Sequence, residues 1–398
     1  MRVLVICAHY PPMLAPEGVH ARMLCQRLGE KGMETHLLTS VLPGAAGASG
    51  FTLHAEMPEW TWRARARLIA ALRRIEPDVV LLIYVGWVYG HHPMITFAPT
   101  YLRRIRPRAR FVAQFENVMG AKLDSLKRRV AWAIAATLFG PRQVSVPYGS
   151  LLRDSHAVVA LSTLHLKEIL KTLPGAAAKS SVIPAPPLLS VLPDPDGTVK
   201  KRGRQMLGIE NGDAPVFVYF GHIYAGKGVE HLLPAFAEVR DKLSANPRTR
   251  PRLVLIGKGD PVLEENLKRQ ARELKIDQSL TWAGHREGAE ASTCLRAADV
   301  VVLPFDQGLR LNNSSFSVCI AHGLPVVTTR TETMEPDFVD GQNVVLCQAK
   351  EPRSLADGML KTASFPELRA RLAQGATQLS RAFSWEKNLE STLAVLRG

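Results

Sequence analysis

Short apolar, β-branched runs alternate with helical periods along the whole chain, and this alternation restricts the fold more than any other feature. In the first half, RVLVICA (2–8), ETHLLTS (34–40), DVVLLIY (78–84), RFVAQF (110–115), HAVVALS (156–162) and SSVIP (180–184) read as buried parallel strands. Helical patterns such as VHARMLCQRLGEKG (19–32) and RARARLIAALRRI (63–75) lie between them. The second half repeats the scheme with PVFVYFG (215–221), RLVLIG (252–257), LTWAG (280–284), DVVVLPF (299–305), LPVVTT (324–329) and NVVLC (343–347). Such a chain is expected to be α/β, with two Rossmann-like doubly wound domains. Each would carry a ligand crevice at the C-terminal ends of its strands.

The proline-rich stretch PAPPLLSVLPDPDGTVKKRG (184–203) has no clear period and is the best linker candidate. The expected division is residues 1–190, a linker at 191–205, and a second domain at 206–382. Two helical patterns end the chain, separated at Ser384, a residue suited to cap a helix N-terminus. With 46% hydrophobic and 22% charged residues, the 398-residue chain can bury two cores as a soluble protein. No apolar run is long enough to span a bilayer, and MRVLVICAHYPP reads as a first buried strand rather than a signal peptide. Cys7, Cys25, Cys294, Cys319 and Cys347 show neither CxxC spacing nor histidine pairing, so reduced, packed thiols in a cytoplasmic protein are expected.

The formal charge of +14 is unevenly placed: residues 63–153 hold 16 Lys and Arg against four acidic residues. A basic half implies a polyanionic neighbour, namely nucleic acid, an anionic membrane face or a phosphate-bearing substrate. The plainer alternative is a solvated surface. EWTWRARARLIAALRRI (59–75) combines Trp60 and Trp62 with Arg63, Arg65, Arg67, Arg73 and Arg74. SLKRRVAWAIAATLFG (125–140) repeats the idea with Lys127, Arg128, Arg129, Trp132, Leu138 and Phe139. Basic amphipathic helices with Trp favour anionic headgroups, although each stripe can equally pack on its own sheet.

Neither a dinucleotide fingerprint nor a P-loop is present, which removes the main support for NAD binding or ATP hydrolysis. Asp194-Pro195-Asp196 has the letters of a metal-binding DxD but follows no strand, and His91-His92 lacks a third ligand, so no metal is expected. FGHIYAGKG (220–228) is more informative, because a Gly-rich strand-to-helix turn with Lys227 offers amides and an ammonium to a phosphate. GLRLNNSSFS (308–317) is the second such element. Asn312, Asn313, Ser314 and Ser315 precede a short helix, with Arg310 just upstream, and together exceed what capping alone demands. Two such turns in one domain fit a diphosphate.

At these residues a family resemblance emerges. VYFGHIYAGKGVEHLLPAF, LVLIGKGD, AADVVVLPF, AHGLPVVTT and FSWEKNLESTLAVL resemble the C-terminal domain of retaining glycosyltransferases of the GT-B fold. The similarity is to the large bacterial family 4 type, also called glycosyl transferases group 1. The opening 40 residues are similar to the same family's first strand-loop-helix-strand. The resemblance implies two domains facing across a cleft that closes on its substrates, and a C-terminal helix (383–398) packing back on the first. It also implies transfer from a nucleoside-diphosphate sugar with retention and without a metal or cofactor.

Carried over by residue, the resemblance implies that Lys227 holds the donor diphosphate, within a donor set of Gly18, Gly221, His222, Gly228, Arg310, Asn312, Asn313, Ser314 and Ser315. His222 stands where the family usually has Arg, and Glu116 where it has a His that contacts the donor sugar. Lys227 and Glu116 are therefore the catalytic candidates, with Glu17, His20, His91 and His92 on the acceptor side. The family's Glu-x7-Glu pair falls on Arg310 and Val318, so the chain resembles a subgroup lacking that pair, and ribose recognition is unassigned. The implied acceptor is a sugar or lipid-linked hydroxyl in envelope polysaccharide or glycolipid assembly, reached by a cytoplasmic enzyme peripheral to the membrane. The alternatives are a GT-B epimerase or phosphorylase, a catalytically inactive sugar-nucleotide binder, and a basic nucleic-acid-binding protein. The last lacks a recognised motif, so no nucleic-acid partner is expected.

Overall fold

All twelve apolar runs form strands in the computed structural model, which describes residues 1–117, 126, 130, 134, 148–209, 214–243 and 250–398. The chain divides into two units, Met1–Ala185 with Trp385–Gly398, and Pro186–Ser384.

The first unit is built on β1 (Arg2–Ile6), β2 (Glu34–Ser40), β3 (Thr52–Met57), β4 (Val79–Val85), β5 (Arg110–Asn117), β6 (Ala157–Ala160) and β7 (Ser180–Val182). Their spatial order is β3-β2-β1-β4-β5-β6-β7, all parallel. Every residue of β4 is buried, as a central strand covered on both faces requires. Removing side chains such as Leu4, Ile6 and Leu82 from water stabilises the unit by about 1.5–3 kcal/mol each. The direction of chain progression reverses between β1 and β4, where Val5 pairs with Leu81. The unit's crevice therefore opens at their C-terminal ends. β3 is an addition to the expected strands: its alternating, half-exposed residues carry too little apolar signal to stand out.

The helix Arg65–Ile75 buries Leu68, Ala71, Leu72 and Ile75 and leaves Arg65, Arg67, Arg73 and Arg74 in solvent, as the short turn Trp62–Ala64 before it leaves Arg63. Trp60 is buried, donating from Nε1 to Ser40 Oγ at 2.9 Å, and Trp62 packs on Phe97 and His92. Both indoles thus belong to the core rather than to a lipid-facing surface. The second basic stretch, 125–140, lies outside the described residues except for Leu126, Val130 and Ile134, which are helical and exposed. The helix Trp385–Arg397 completes this unit: Asn388 Nδ2 donates to the Pro184 carbonyl at 3.1 Å, and Arg27 stacks over Trp385.

The second unit contains β8 (Val216–Phe220), β9 (Arg252–Ile256), β10 (Leu280–Gly284), β11 (Val300–Leu303), β12 (Val326–Arg330) and β13 (Val345–Gln348). They form a parallel sheet in the order β10-β9-β8-β11-β12-β13, which reverses between β8 and β11. Residues 191–205, expected as a linker, are an integral part of this unit. The helix Thr198–Met206 lies on Gly288–Arg296 so closely that a Cβ on Gly203 would sit 2.2 Å from the Thr293 carbonyl oxygen. Asp194 and Asp196 start that helix: Asp194 accepts from the Val199 and Lys200 amides, and Asp196 from Thr198. The DxD letters therefore mark a helix N-terminus.

Candidate functional site

The two turns singled out in the sequence leave β8 and β11, the neighbouring strands at the second unit's switch point, from their C-terminal ends. Topology alone thus brings 221–228 and 304–313 to one crevice. The first turn runs from Gly221 (φ +141°) to Gly228 (φ +72°), after which the helix Val229–Leu243 begins. Both glycines are required. A Cβ on Gly228 would lie 1.8 Å from the Pro304 carbonyl oxygen, and one on Gly221 would lie 3.3 Å from Ser315 Cβ. The glycines after β9 serve the same approach, since a Cβ on Gly257 or Gly259 would lie 1.9 Å from the carbonyl oxygen of Gly221 or Ile223. Buried Tyr219 braces the turn by donating from its hydroxyl to the His222 carbonyl at 2.7 Å.

Lys227 projects from this turn with its ammonium 5.0 Å from the Tyr224 ring and 4.9 Å from the Phe305 ring. No carboxylate among the described residues forms an ion pair with it, and burial pushes its pKa down to about 8. An ammonium held by ring faces and lacking an anion is ready for an anionic ligand. Sequence reading missed both rings, because Phe305 reads simply as the end of a strand.

The second turn is pinned from below by Thr328 and Thr329, which donate to the Leu303 and Phe305 carbonyls at 2.7 and 2.5 Å. Leu309 and Leu311 are buried on either side of Arg310, whose Nε is buried without a hydrogen-bond partner among the described residues. Asn313 occupies the helix N-cap position, yet its Oδ1 accepts from the Arg310 amide at 2.7 Å. The helix Ser314–Ala321 therefore begins without a side-chain cap, and its positive end lies beside Gly221. Asn312 and His222 are half-buried in the same two turns. Thus Gly221, His222, Lys227, Gly228, Arg310, Asn312, Asn313, Ser314 and Ser315 are all carried by the two turns at this switch point.

The remaining candidates lie in the first unit, around the C-terminal ends of its central strands. Gly18 seats the start of the helix Pro16–Glu30 on the preceding loop, where a Cβ would lie 2.9 Å from the His9 carbonyl carbon. Glu17 pairs with His9 Nδ1 at 2.5 Å, and Glu116 pairs with His20 Nδ1 at 2.6 Å. Burial pushes the thiol of Cys7, the residue after β1, well up, and the Glu17 and Glu116 charges push it in the same direction. His91 and His92 occupy the turn after β4. His91 adopts φ +52°, and His92 Nδ1 accepts from the Met94 amide at 3.1 Å while its ring packs on Trp62. Burial lowers the His92 pKa, in keeping with a neutral capping ring.

Among the described residues, Glu230, His231 and Asp306 place ligand-type atoms within 4.8 Å of one another. His231 Nε2 lies 3.5 Å and Lys350 Nζ 4.0 Å from the Asp306 carboxylate, which stands beside Gly228. All five cysteines are free and buried.

Comparison with known proteins bears on the same residues. Residues 214–364 match the family described as Glycosyl transferases group 1. Among curated relatives, a D-inositol 3-phosphate glycosyltransferase of Saccharomonospora viridis is 30% identical over 203 residues, covering 49% of this chain. That alignment spans 45% of the relative's own length. The namesake protein of Actinosynnema mirum is 28% identical over an alignment covering 99% of this chain and 96% of its own. Among solved structures, Anabaena HepE in complex with UDP and glucose superposes with a TM-score of 0.73 at 14% identity, covering 100% of this chain and 99% of its own. WaaG, a glycosyltransferase involved in lipopolysaccharide biosynthesis, superposes with a TM-score of 0.68 at 16% identity and covers 100% of both chains. No helix among the described residues is long and apolar enough to cross a membrane. The chain has the GT-B fold, and the part that carries its Lys227 and Ser314–Ser315 turns matches the Glycosyl transferases group 1 family.

Proposed function

We propose that this protein is a retaining, metal-independent glycosyltransferase that moves a sugar from a nucleoside-diphosphate sugar to an acceptor hydroxyl. One observation carries the reading: a cation without a carboxylate partner, Lys227, stands on the turn that touches the uncapped N-terminus of the helix Ser314–Ala321 at a switch point. A diphosphate seated there receives the ammonium, the helix amides and the Arg310 guanidinium. As the glycosidic bond breaks, charge accumulates on the leaving diphosphate, and those donors stabilise it where it develops. The departing phosphate takes the acceptor proton, so the chemistry calls for no separate nucleophile. Glu116, held in the first unit, accepts a hydrogen bond from a sugar hydroxyl.

The acceptor is proposed to be lipid-linked, in envelope polysaccharide or glycolipid assembly, with the protein on the cytoplasmic membrane face. Two features support this: the arginine face of the helix Arg65–Ile75, and the exposed row Leu126, Val130 and Ile134 at helical spacing within a basic stretch. The inactive-binder and epimerase readings are separated by one experiment. The protein is incubated with a panel of UDP-, GDP- and ADP-sugars, and nucleoside diphosphate release is followed with and without EDTA. Release that EDTA does not slow is expected from at least one donor. Stabilisation by a donor without any release, even with added acceptors, would identify a binder instead, and inversion of the sugar without release an epimerase.

A further inference from the structure

The pairing of His20 with Glu116 points to a residue that acts through another. Gln114 and Glu116 lie near the C-terminal end of β5, where the pairing with β4 shifts register between Phe115 and Asn117 and leaves Glu116 out of the ladder. Glu116 Oε1 accepts from His20 Nδ1 at 2.6 Å and from Gln114 Nε2 at 3.0 Å. A carboxylate only accepts, so Nδ1 carries the hydrogen. The His20 side chain is 3% exposed and lies edge-on to Trp385, 5.7 Å between centroids, with Nε2 buried and without a hydrogen-bond partner among the described residues. The ring is therefore fixed by packing on one side and by the carboxylate on the other. Burying such a polar pair contributes little net stability compared with apolar side chains of similar volume, so stability alone does not account for it.

We infer that His20 is a positioning residue: with Gln114 it holds one oxygen of Glu116 so that the carboxylate is fixed toward a substrate hydroxyl. The inference rests on the glycosyl-transfer reading above and adds a specific dependence to it. Asparagine at position 20 keeps an N–H donor near the place of Nδ1, whereas alanine removes it. In nucleoside diphosphate release from the nucleotide sugar that the wild type uses best, His20→Ala is expected to lower kcat about 100-fold. KM for that nucleotide sugar should stay within about threefold, and His20→Asn should restore most of kcat. The His20→Ala/Glu116→Gln double variant should be no slower than Glu116→Gln alone, because the two residues act as one unit. Wild-type kcat in His20→Ala, or losses that multiply in the double variant, would overturn the inference. A readout independent of turnover is the imidazole nitrogen spectrum. A protonated, hydrogen-bonded Nδ1 is expected for His20 and should shift in Glu116→Gln, while an unchanged spectrum would refute the pairing. If the wild type uses no nucleotide sugar at all, the functional reading fails, and the spectrum still decides the pair.

Discussion

Lys227 keeps an ammonium where burial disfavours it, and the consequences have opposite signs for stability and for binding. Its pKa is about 8 in the folded protein, against 10.5 for an ordinary lysine, because of desolvation. Between these values the unfolded chain binds more protons than the folded one, so this residue makes stability rise with pH across that window. Lys227→Met is therefore expected to raise Tm at pH 7, with the gain shrinking as pH rises from about 8 toward 10.5. The same substitution should abolish nucleoside diphosphate binding, and wild-type affinity should fall as pH rises through about 8. Melting curves and calorimetry at several pH values check both; a variant that melts lower and still binds contradicts this account of Lys227. Lys227 was legible because Gly-Lys-Gly is local in sequence. The His20–Glu116 pair was not, since its partners are 96 residues apart and only the topology of the first sheet joins them.

At the scale of elements, strands were the most readable, because β-branched runs buried on both faces leave a continuous apolar signal. β3 escaped because it borders the sheet and leaves most of its residues only half-buried. The supposed linker misled for a different reason: its prolines suppress periodicity, while Arg296 holds it by donating to the Leu192 carbonyl and Ser292 Oγ accepts from the Leu192 amide. The helix Arg65–Ile75 shows how one element answers two questions. Its apolar stripe is used in the core, so only its arginines remain for a membrane. Arg74 is matched by Glu56, whereas Arg63, Arg67 and Arg73 have no ion-pair partner among the described residues. Flotation with anionic vesicles should show binding that weakens steeply with salt and is reduced by Arg63→Gln/Arg67→Gln/Arg73→Gln. Equal binding to neutral vesicles, or none at low salt, would remove the membrane proposal.

Across the whole molecule, each unit carries its candidate site residues near the point where the strand order reverses, β1 beside β4 and β8 beside β11. The pattern of alternating elements was enough to foresee two such crevices. It was not enough to say what fills them, because Phe305 beside Lys227 and His20 on Glu116 are brought to their partners by tertiary structure alone. The central claim is that a nucleoside diphosphate sits between the turn at 221–228 and the start of the helix Ser314–Ala321. Hydrogen–deuterium exchange with and without UDP, GDP and ADP tests it most directly. Slowed exchange in peptides covering 221–228 and 312–317 is expected for the preferred nucleotide, and Lys227→Met should lose it. Protection by a bound nucleotide elsewhere in the chain, with both of these segments unchanged, would contradict the account.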